Sequence, residues 1–299
     1  MGEVCVTIPP SADGDSPHPN PSPEGEGLSI AAALAAAAVR LASVSDTPRL
    51  DAELLMAHAL GTEREALLLS RLGDPAPGAF EPLVQRRLAH EPIAYIVGRR
   101  GFWTIELEVG PGVLVPRPDS ETLIDAAVAH FGKSGPSTVL DLGTGPGTLL
   151  LAALAEWAEA RGLGVDSSTA AQRYFERNAA ALGLAARARF ALGDWTDSLS
   201  GAFDLILCNP PYVETDAELS PDVRDWEPAE ALFAGGDGLD DYRRLAPRMA
   251  PLLAPEGIAC VEIGHAQAAS AGALFAAQGL AVSLRKDLAG RDRCLVLRH

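Results

Sequence analysis

The chain has 299 residues, 47% of them hydrophobic and 21% charged, enough apolar material for one large domain and a smaller one. Its 40 acidic against 24 basic residues give a formal net charge of −16, and the Lys and Arg residues are scattered. That disfavours a protein whose main partner is duplex nucleic acid gripped through many phosphates. Cys5, Cys208, Cys260 and Cys294 form no CxxC pair, which argues against a zinc site or a disulfide framework, so no metal is expected.

Residues 1–27 interleave Pro9, Pro10, Pro17, Pro19, Pro21 and Pro23 with Ser, Gly, Asp and Glu, a composition expected to form a disordered tail. No basic region followed by an apolar core marks a secretory signal, and the Ala/Leu-rich run at 30–39 is too short for a bilayer. A cytoplasmic location and a monomer are the expectations. Residues 28–90 read as a small helical bundle, with helices over 28–42, 48–60 and 80–90. A fourth, after Gly61, is opened by Thr62 as N-cap with Glu65 three residues on. Nothing in the bundle looks catalytic; it is either packing or a surface that grips a macromolecular substrate. Residues 91–117, richer in β-branched residues, Gly and Pro, suggest a hairpin connector.

From 118 to 299 strands and helices alternate. Strands are expected at 138–141, 162–166, 188–192, 203–208, 258–263, 281–286 and 294–297, and helices at 148–160, 168–182, 239–253 and 267–278. Such alternation implies an α/β fold with a seven-stranded, mostly parallel sheet covered on both faces. Ligands in such sheets sit beyond the carboxyl ends of the strands.

The first strand runs into Asp141, Leu142, Gly143, Thr144, Gly145, Pro146 and Gly147. Glycines let backbone approach a ligand closely, and the GxGxG spacing differs from that of dinucleotide enzymes. Asp141, just before the turn, suits the ammonium of a methionine moiety, although an ordinary tight turn would look the same. The second strand ends in Asp166, placed either to accept from both ribose hydroxyls or to cap the next helix. The third ends in Asp194 and Trp195, an acceptor for an adenine amino group and a flat face for its ring; Trp195 alone would read as a half-buried loop residue. Three consecutive strand ends that each suit one part of a nucleoside make the stronger signal.

The fourth strand ends in Asn209, Pro210, Pro211 and Tyr212. A strand-ending turn accounts for a proline and an asparagine, but not for all four together. An amide or aromatic amino nitrogen is a poor nucleophile because its lone pair is delocalised, and positive charge builds on it as it attacks a sulfonium methyl. The Asn209 side-chain oxygen and the Pro210 carbonyl can accept its two N–H bonds and stabilise that charge. The prolines stiffen the loop, and Tyr212 can stack on the flat acceptor. Positioning is then the main catalytic device.

These motifs resemble the HemK/PrmC family of protein-(glutamine-N5) methyltransferases, which modify class I peptide chain release factors. The resemblance extends from about residue 28 to the end. Besides residues 141–145 and 209–212, it rests on the segments 91–98, 116–121, 236–240, 242–243, 262–264 and 286–290, and on Glu227, Pro228, Ala231 and Leu232. It implies a Rossmann-like fold dependent on S-adenosylmethionine (SAM), with S-adenosylhomocysteine as product. It also implies SAM contacts at Gly143, Thr144, Gly145, Pro146, Gly147, Asp166, Trp195 and Asn209, and a glutamine pocket lined by Asn209, Pro210, Pro211 and Tyr212. Pro146 stands where a small polar residue is usual, and Ser120 where Thr is more frequent. Arg117 and Glu121 are either pocket or lid residues or an interdomain ion pair; Glu227 follows Trp226 in a loop that could shape the substrate opening, but is expected as a solvated loop carboxylate. The same four-residue motif serves nucleic-acid amino-methyltransferases, the alternative reading, which the acidic composition disfavours. A non-catalytic nucleotide-binding module would need the Asn209 loop to be a mere strand stop.

Overall fold

The computed structural model describes residues 1–2, 28–197 and 199–299; the tail expected at 1–27 lies, beyond its first two residues, outside them. Four helices open the described chain: α1 (Ile30–Leu41), α2 (Pro48–Leu60), α3 (Arg64–Ser70) and α4 (Phe80–Leu88). Ser29 caps α1 by accepting from the Ala32 amide, and Pro48 opens α2 at a position whose amide has no helical partner anyway. The capping box expected at Thr62 is not formed. Gly61, left-handed at φ 61°, closes α2, and the Thr62 amide is spent on the Ala57 carbonyl. The next helix therefore starts two residues later, behind Glu63 and without a side-chain cap. Leu34, Leu41, Leu55, Met56, Leu67 and Val84 close this bundle around its own core.

The connector contains a short helix, α5 (Ile93–Val97), and then the antiparallel hairpin β1 (Arg99–Phe102) and β2 (Ile105–Glu108). Phe102, Ile105 and Leu107 of the hairpin join the core of the large domain. The buried Asn178 ties the hairpin to the glycine turn: its amide bonds both backbone groups of Glu108 and the Pro146 carbonyl.

The large domain runs α6 (Glu121–Phe131), β3 (Thr138–Leu142), α7 (Thr148–Glu156), β4 (Arg161–Asp166), α8 (Thr169–Ala181), β5 (Ala188–Leu192), β6 (Phe203–Cys208), α9 (Pro221–Arg224), α10 (Asp240–Leu252), β7 (Leu253–Glu262), α11 (Ala268–Ala276), β8 (Ala281–Lys286) and β9 (Asp292–Arg298). Pattern leaves α6 unassigned. Its order in the sheet is β5-β4-β3-β6-β7-β9-β8, parallel except where β9 runs against β7 and β8. Alternate residues of the central strands serve two cores. Val139, Leu205 and Leu207 pack with α6, α7 and α8, while Leu140, Ile206 and Cys208 pack with α10 and α11. The period of two along a strand produces this split, and burial on both faces explains the near-continuous apolar runs. Pro247 and Pro251 sit inside α10 on its solvent side, while Tyr242, Leu245, Ala246, Met249 and Leu252 hold the other face in the core.

Strand order reverses at β3: β4 and β5 lie to one side and β6 to the other. The crevice of a doubly wound sheet opens at such a switch point. Here Leu142 pairs with Cys208, so the residues that follow them, Gly143 and Asn209, leave the sheet side by side.

Candidate active site

At the nucleotide end the glycine turn is pinned to β4. The amides of Gly143 and Thr144 both donate to the Val165 carbonyl, at 2.9 and 3.0 Å. Asp166 accepts from the Gly145 amide through Oδ2 and from the Ser168 amide through Oδ1, both at 2.9 Å. Its carboxylate thus buttresses the turn and leads into α8, whose N-cap is Ser168. Gly143 is left-handed at φ 73°, and a Cβ there would lie 3.1 Å from the ring of Trp195. The backbone is bare because an aromatic plane passes over it. Trp195 is itself left-handed at φ 48°, uncommon for a large residue, and its indole N–H donates to Asp241 Oδ1 at 3.0 Å.

Gly143, Gly145, Asp166, Asp194, Trp195 and Asn209 all line one cavity of about 380 Å³. Pro146 and Thr144 line a smaller recess beside it, together with Asp141. Gly147 lines neither: it caps α7, and a Cβ there would strike Leu151 and Phe175. Asp194 is half exposed, and its carboxylate is paired with Arg244 at 2.6 Å. Asp141 is 1% exposed. Its Oδ2 accepts from the Thr144 hydroxyl at 2.7 Å and the Leu150 amide at 3.2 Å, while its Oδ1 has no partner. Burial pushes its pKa up to about 7.

At the chemical end, Asn209 Nδ2 lies 3.3 Å from Ser120 Oγ, bonded across 89 residues. No described residue hydrogen-bonds its Oδ1. Tyr212 donates through its hydroxyl to Glu262 Oε1 at 3.2 Å, and burial, then the adjacent carboxylate, push the phenol upward. Gln267 Nε2 clasps the far side of the loop by donating to the carbonyls of Tyr212 and Gly238. A second cavity, of about 170 Å³, is lined by Arg117, Asn209, Pro210, Tyr212, Leu232 and Glu262 among others. Asn209 stands in the wall that the two cavities share, with Pro211 on the larger side.

Residues 32–98 match the PrmC N-terminal domain model, and residues 120–225 match the methyltransferase small domain model. The chain is 45% identical to the release factor glutamine methyltransferase of Rhodospirillum rubrum over 85% of its own length and 80% of that protein. It belongs to the release factor glutamine methyltransferase family. The enzyme of the same name from Caulobacter vibrioides is 42% identical, over 84% of this chain and 89% of the relative. Among solved structures, the hMettl16 catalytic domain in complex with MAT2A 3′UTR hairpin 6 shares the fold at 15% identity, with a TM-score of 0.51 over 64% of this chain and 75% of that one. The chain is thus a methyltransferase of the expected fold.

Against this family background one expectation is corrected. Glu227 is not a solvated loop carboxylate: its side chain is 1% exposed, paired with Arg117 at 2.5 Å and bonded to the Val115 amide at 3.1 Å. Only by reaching back over the domain to residues 115–117 does this loop carboxylate find donors, which local composition does not reveal. Glu121 instead accepts from the Trp103 amide, fastening the hairpin to α6. The sequence assigns no role to Asp241, which orients the Trp195 indole, or to Glu262, 1% exposed beneath the second cavity. The acidic run at 240–241 and the lone Glu closing an apolar strand were the available signals. Among the described residues no helix is long and apolar enough to cross a membrane.

Proposed function

We propose that the chain binds SAM in the larger cavity and methylates the side-chain N5 of a glutamine of class I peptide chain release factors presented in the smaller one, releasing S-adenosylhomocysteine. The observation that carries this reading is Asn209 standing between the two cavities, its Nδ2 bonded to Ser120 and its Oδ1 without a protein donor.

The residues present fit SAM. Asp141 Oδ1 is a buried acceptor with no partner beside the glycine turn, suited to an ammonium. Gly143 leaves bare backbone against Trp195, and Gly145 leaves open space in the same cavity, suited to a flat nucleoside. Asp166 faces the same cavity for the ribose, and Asp194, turning from Arg244, for the adenine amino group. Pro146 borders the methionine end, and Thr144 and Gly147 act by shaping the turn. When bound, SAM supplies an electrophilic methyl on a positively charged sulfur.

The chain's own residues do the remainder. Asn209 Oδ1 and the Pro210 carbonyl accept the two N–H bonds of the substrate amide and hold its nitrogen in line. As that nitrogen becomes positive, these fixed oxygens stabilise it without reorganising. Pro210 and Pro211 keep the loop from relaxing. Tyr212, its phenol anchored on Glu262, presents its ring to the amide plane. The surplus proton leaves after the methyl arrives, when the nitrogen is acidic, so no strong base is required. We assign residues 28–90 to substrate recognition, 91–117 to the connector and 118–299 to catalysis, acting as a monomer without direct nucleic-acid contact. Mass spectrometry of release factors incubated with the protein and SAM tests the assignment. One added methyl on a single glutamine, absent when that glutamine is replaced, is the expected result.

A further inference from the structure

Tyr242, Leu245, Ala246 and Met249 of α10 are buried against the sheet, and their burial sets how the helix is rotated. Asp241, Arg244 and Arg248 follow one another at helical spacing, so they share the adjoining stripe of its surface. That stripe runs along the loop that follows β5. Each member bonds a different residue of one short segment. Arg244 pairs with Asp194 at 2.6 Å, and Asp241 accepts the Trp195 indole N–H at 3.0 Å. Arg248 donates to the Thr196 hydroxyl at 3.2 Å and to the Thr196 carbonyl at 3.4 Å.

The middle residue of that segment is held against its own preference. Trp195 is left-handed at φ 48°, where a Cβ crowds the backbone. A turn that had only to close β5 would take Gly or Asn there. Such strain persists where the surroundings over-determine it, and here they do. The ring packs against the core formed with α10 and α11, and one edge lies 3.1 Å from where a Cβ of Gly143 would stand. Its N–H edge is claimed by Asp241, and the next residue, the buried Thr196, is fixed by Arg248. The protein's own contacts thus stand the indole over the floor of the larger cavity.

The three fastenings differ in strength. Arg244 and Asp194 are both about half exposed, so their pair opens at little cost, and Arg244 also approaches Asp241 Oδ1 at 3.4 Å. Asp194 can therefore exchange Arg244 for another donor. Asp241, with its side chain only 14% exposed, and Arg248 keep their partners.

We propose that Asp241 and Arg248 are positioning residues of the adenine subsite: from one stripe of α10 they clamp Trp195 and Thr196, so that the strained indole is a pre-formed platform for the base. A wall already in place spares the ligand the cost of ordering it. Neither residue lines the smaller cavity, so both act on SAM binding more than on methyl transfer. The inference rests on the reading of the larger cavity as the SAM site.

The test measures SAM titration, steady-state kinetics with a release factor and Tm on the full chain. It compares wild type, Asp241→Ala, Asp241→Asn, Trp195→Phe, Arg248→Ala and the double variant Asp241→Ala/Trp195→Phe. Asp241→Ala is expected to raise the SAM dissociation constant about tenfold, the scale of a lost hydrogen bond to a charged group. KM for SAM rises by a like factor, and kcat at saturating SAM changes far less. Asp241→Asn, which keeps an acceptor oxygen for the indole, recovers most of the affinity. Trp195→Phe keeps a flat ring but loses the N–H, and it too weakens SAM binding. The double variant binds SAM no more weakly than the weaker single variant, because both changes remove the same bond. Arg248→Ala shifts SAM affinity in the same direction.

Effects that multiply in the double variant place the action of Asp241 elsewhere than on the indole and overturn the proposal. Unchanged SAM affinity in Asp241→Ala or Arg248→Ala, with wild type binding SAM, overturns it too and leaves the reading of the cavity standing. If Asp241→Ala does not fold, Trp195→Phe decides: wild-type SAM affinity in that variant sinks the proposal. If wild type itself binds no SAM, the reading of the larger cavity fails and takes this inference with it.

Discussion

Arg117 and Glu227, 110 residues apart, meet at 2.5 Å where the segment leading into α6 passes the loop that roofs the smaller cavity. Glu227 is almost wholly buried and also holds the Val115 amide, whereas Arg117 keeps about a third of its side chain in solvent. The pair therefore clasps residues 115–117 to the loop that carries Glu227, and Arg117 also lines the smaller cavity.

Removing one partner of a buried pair leaves the other charge uncompensated, which costs more than the pair itself contributes. Arg117→Ala is expected to destabilise the protein by about 2–3 kcal/mol, at or just below the lower limit for broken buried pairs because Arg117 reaches water. It should also raise KM for the release factor. Thermal unfolding and steady-state kinetics check both outcomes. Glu227→Gln keeps the bond to Val115 and should cost less.

Asp141 gives a pH dependence of known sign. Its carboxyl is raised from 3.8 to about 7 by burial, so the folded state holds a proton that the unfolded chain has lost. That contribution to stability is complete below about pH 4 and is lost as pH rises through about 7. Asp141→Asn should flatten part of this decline and Glu262, shifted similarly, should retain the rest. The SAM ammonium wants the ionised form, so SAM affinity should rise with pH toward about 7 in wild type and lose that slope in Asp141→Asn. Isothermal titration across that range reads it directly.

Two glycines of the same turn should fail in different ways. At Gly143 an added Cβ faces the Trp195 ring at 3.1 Å with φ at 73°, in the floor of the larger cavity. Gly143→Ala should weaken SAM binding at least tenfold, with a loss of stability near the cost of a strained left-handed residue, about 1–2 kcal/mol. At Gly147 the Cβ meets Leu151 at 2.6 Å and Phe175 at 3.1 Å in the core. Gly147→Ala should lower Tm more than Gly143→Ala does. Paired SAM titration and calorimetry separate the two effects.

How much of this was legible in the sequence depends on how far apart the interacting groups lie. The strands at 188–192 and 203–208 were readable to the residue because their apolar runs end at turn-forming residues, and that at 281–286 because Gly279 precedes it and Asp287 follows it. The glycine turn and the Asn209 loop were readable because each is contiguous. Helix α6 was passed over, and α3 starts late because Thr62 was claimed by the end of α2. Relations across tens of residues were not readable. Nothing near Ser120 announces Asn209, and nothing near Glu227 announces Arg117. Asp194 looks free in sequence, and only the fold brings Arg244 to it.

The central claim is that Asn209 accepts from the substrate amide while its neighbours hold it still. Single-turnover methyl transfer by Asn209→Ala, with SAM binding measured on the same sample, tests this most directly. Loss of one fixed acceptor should slow transfer to glutamine by about 10²–10³-fold, with SAM bound nearly as tightly as in wild type. Methylation of the release factor glutamine at the wild-type rate by Asn209→Ala would contradict the account.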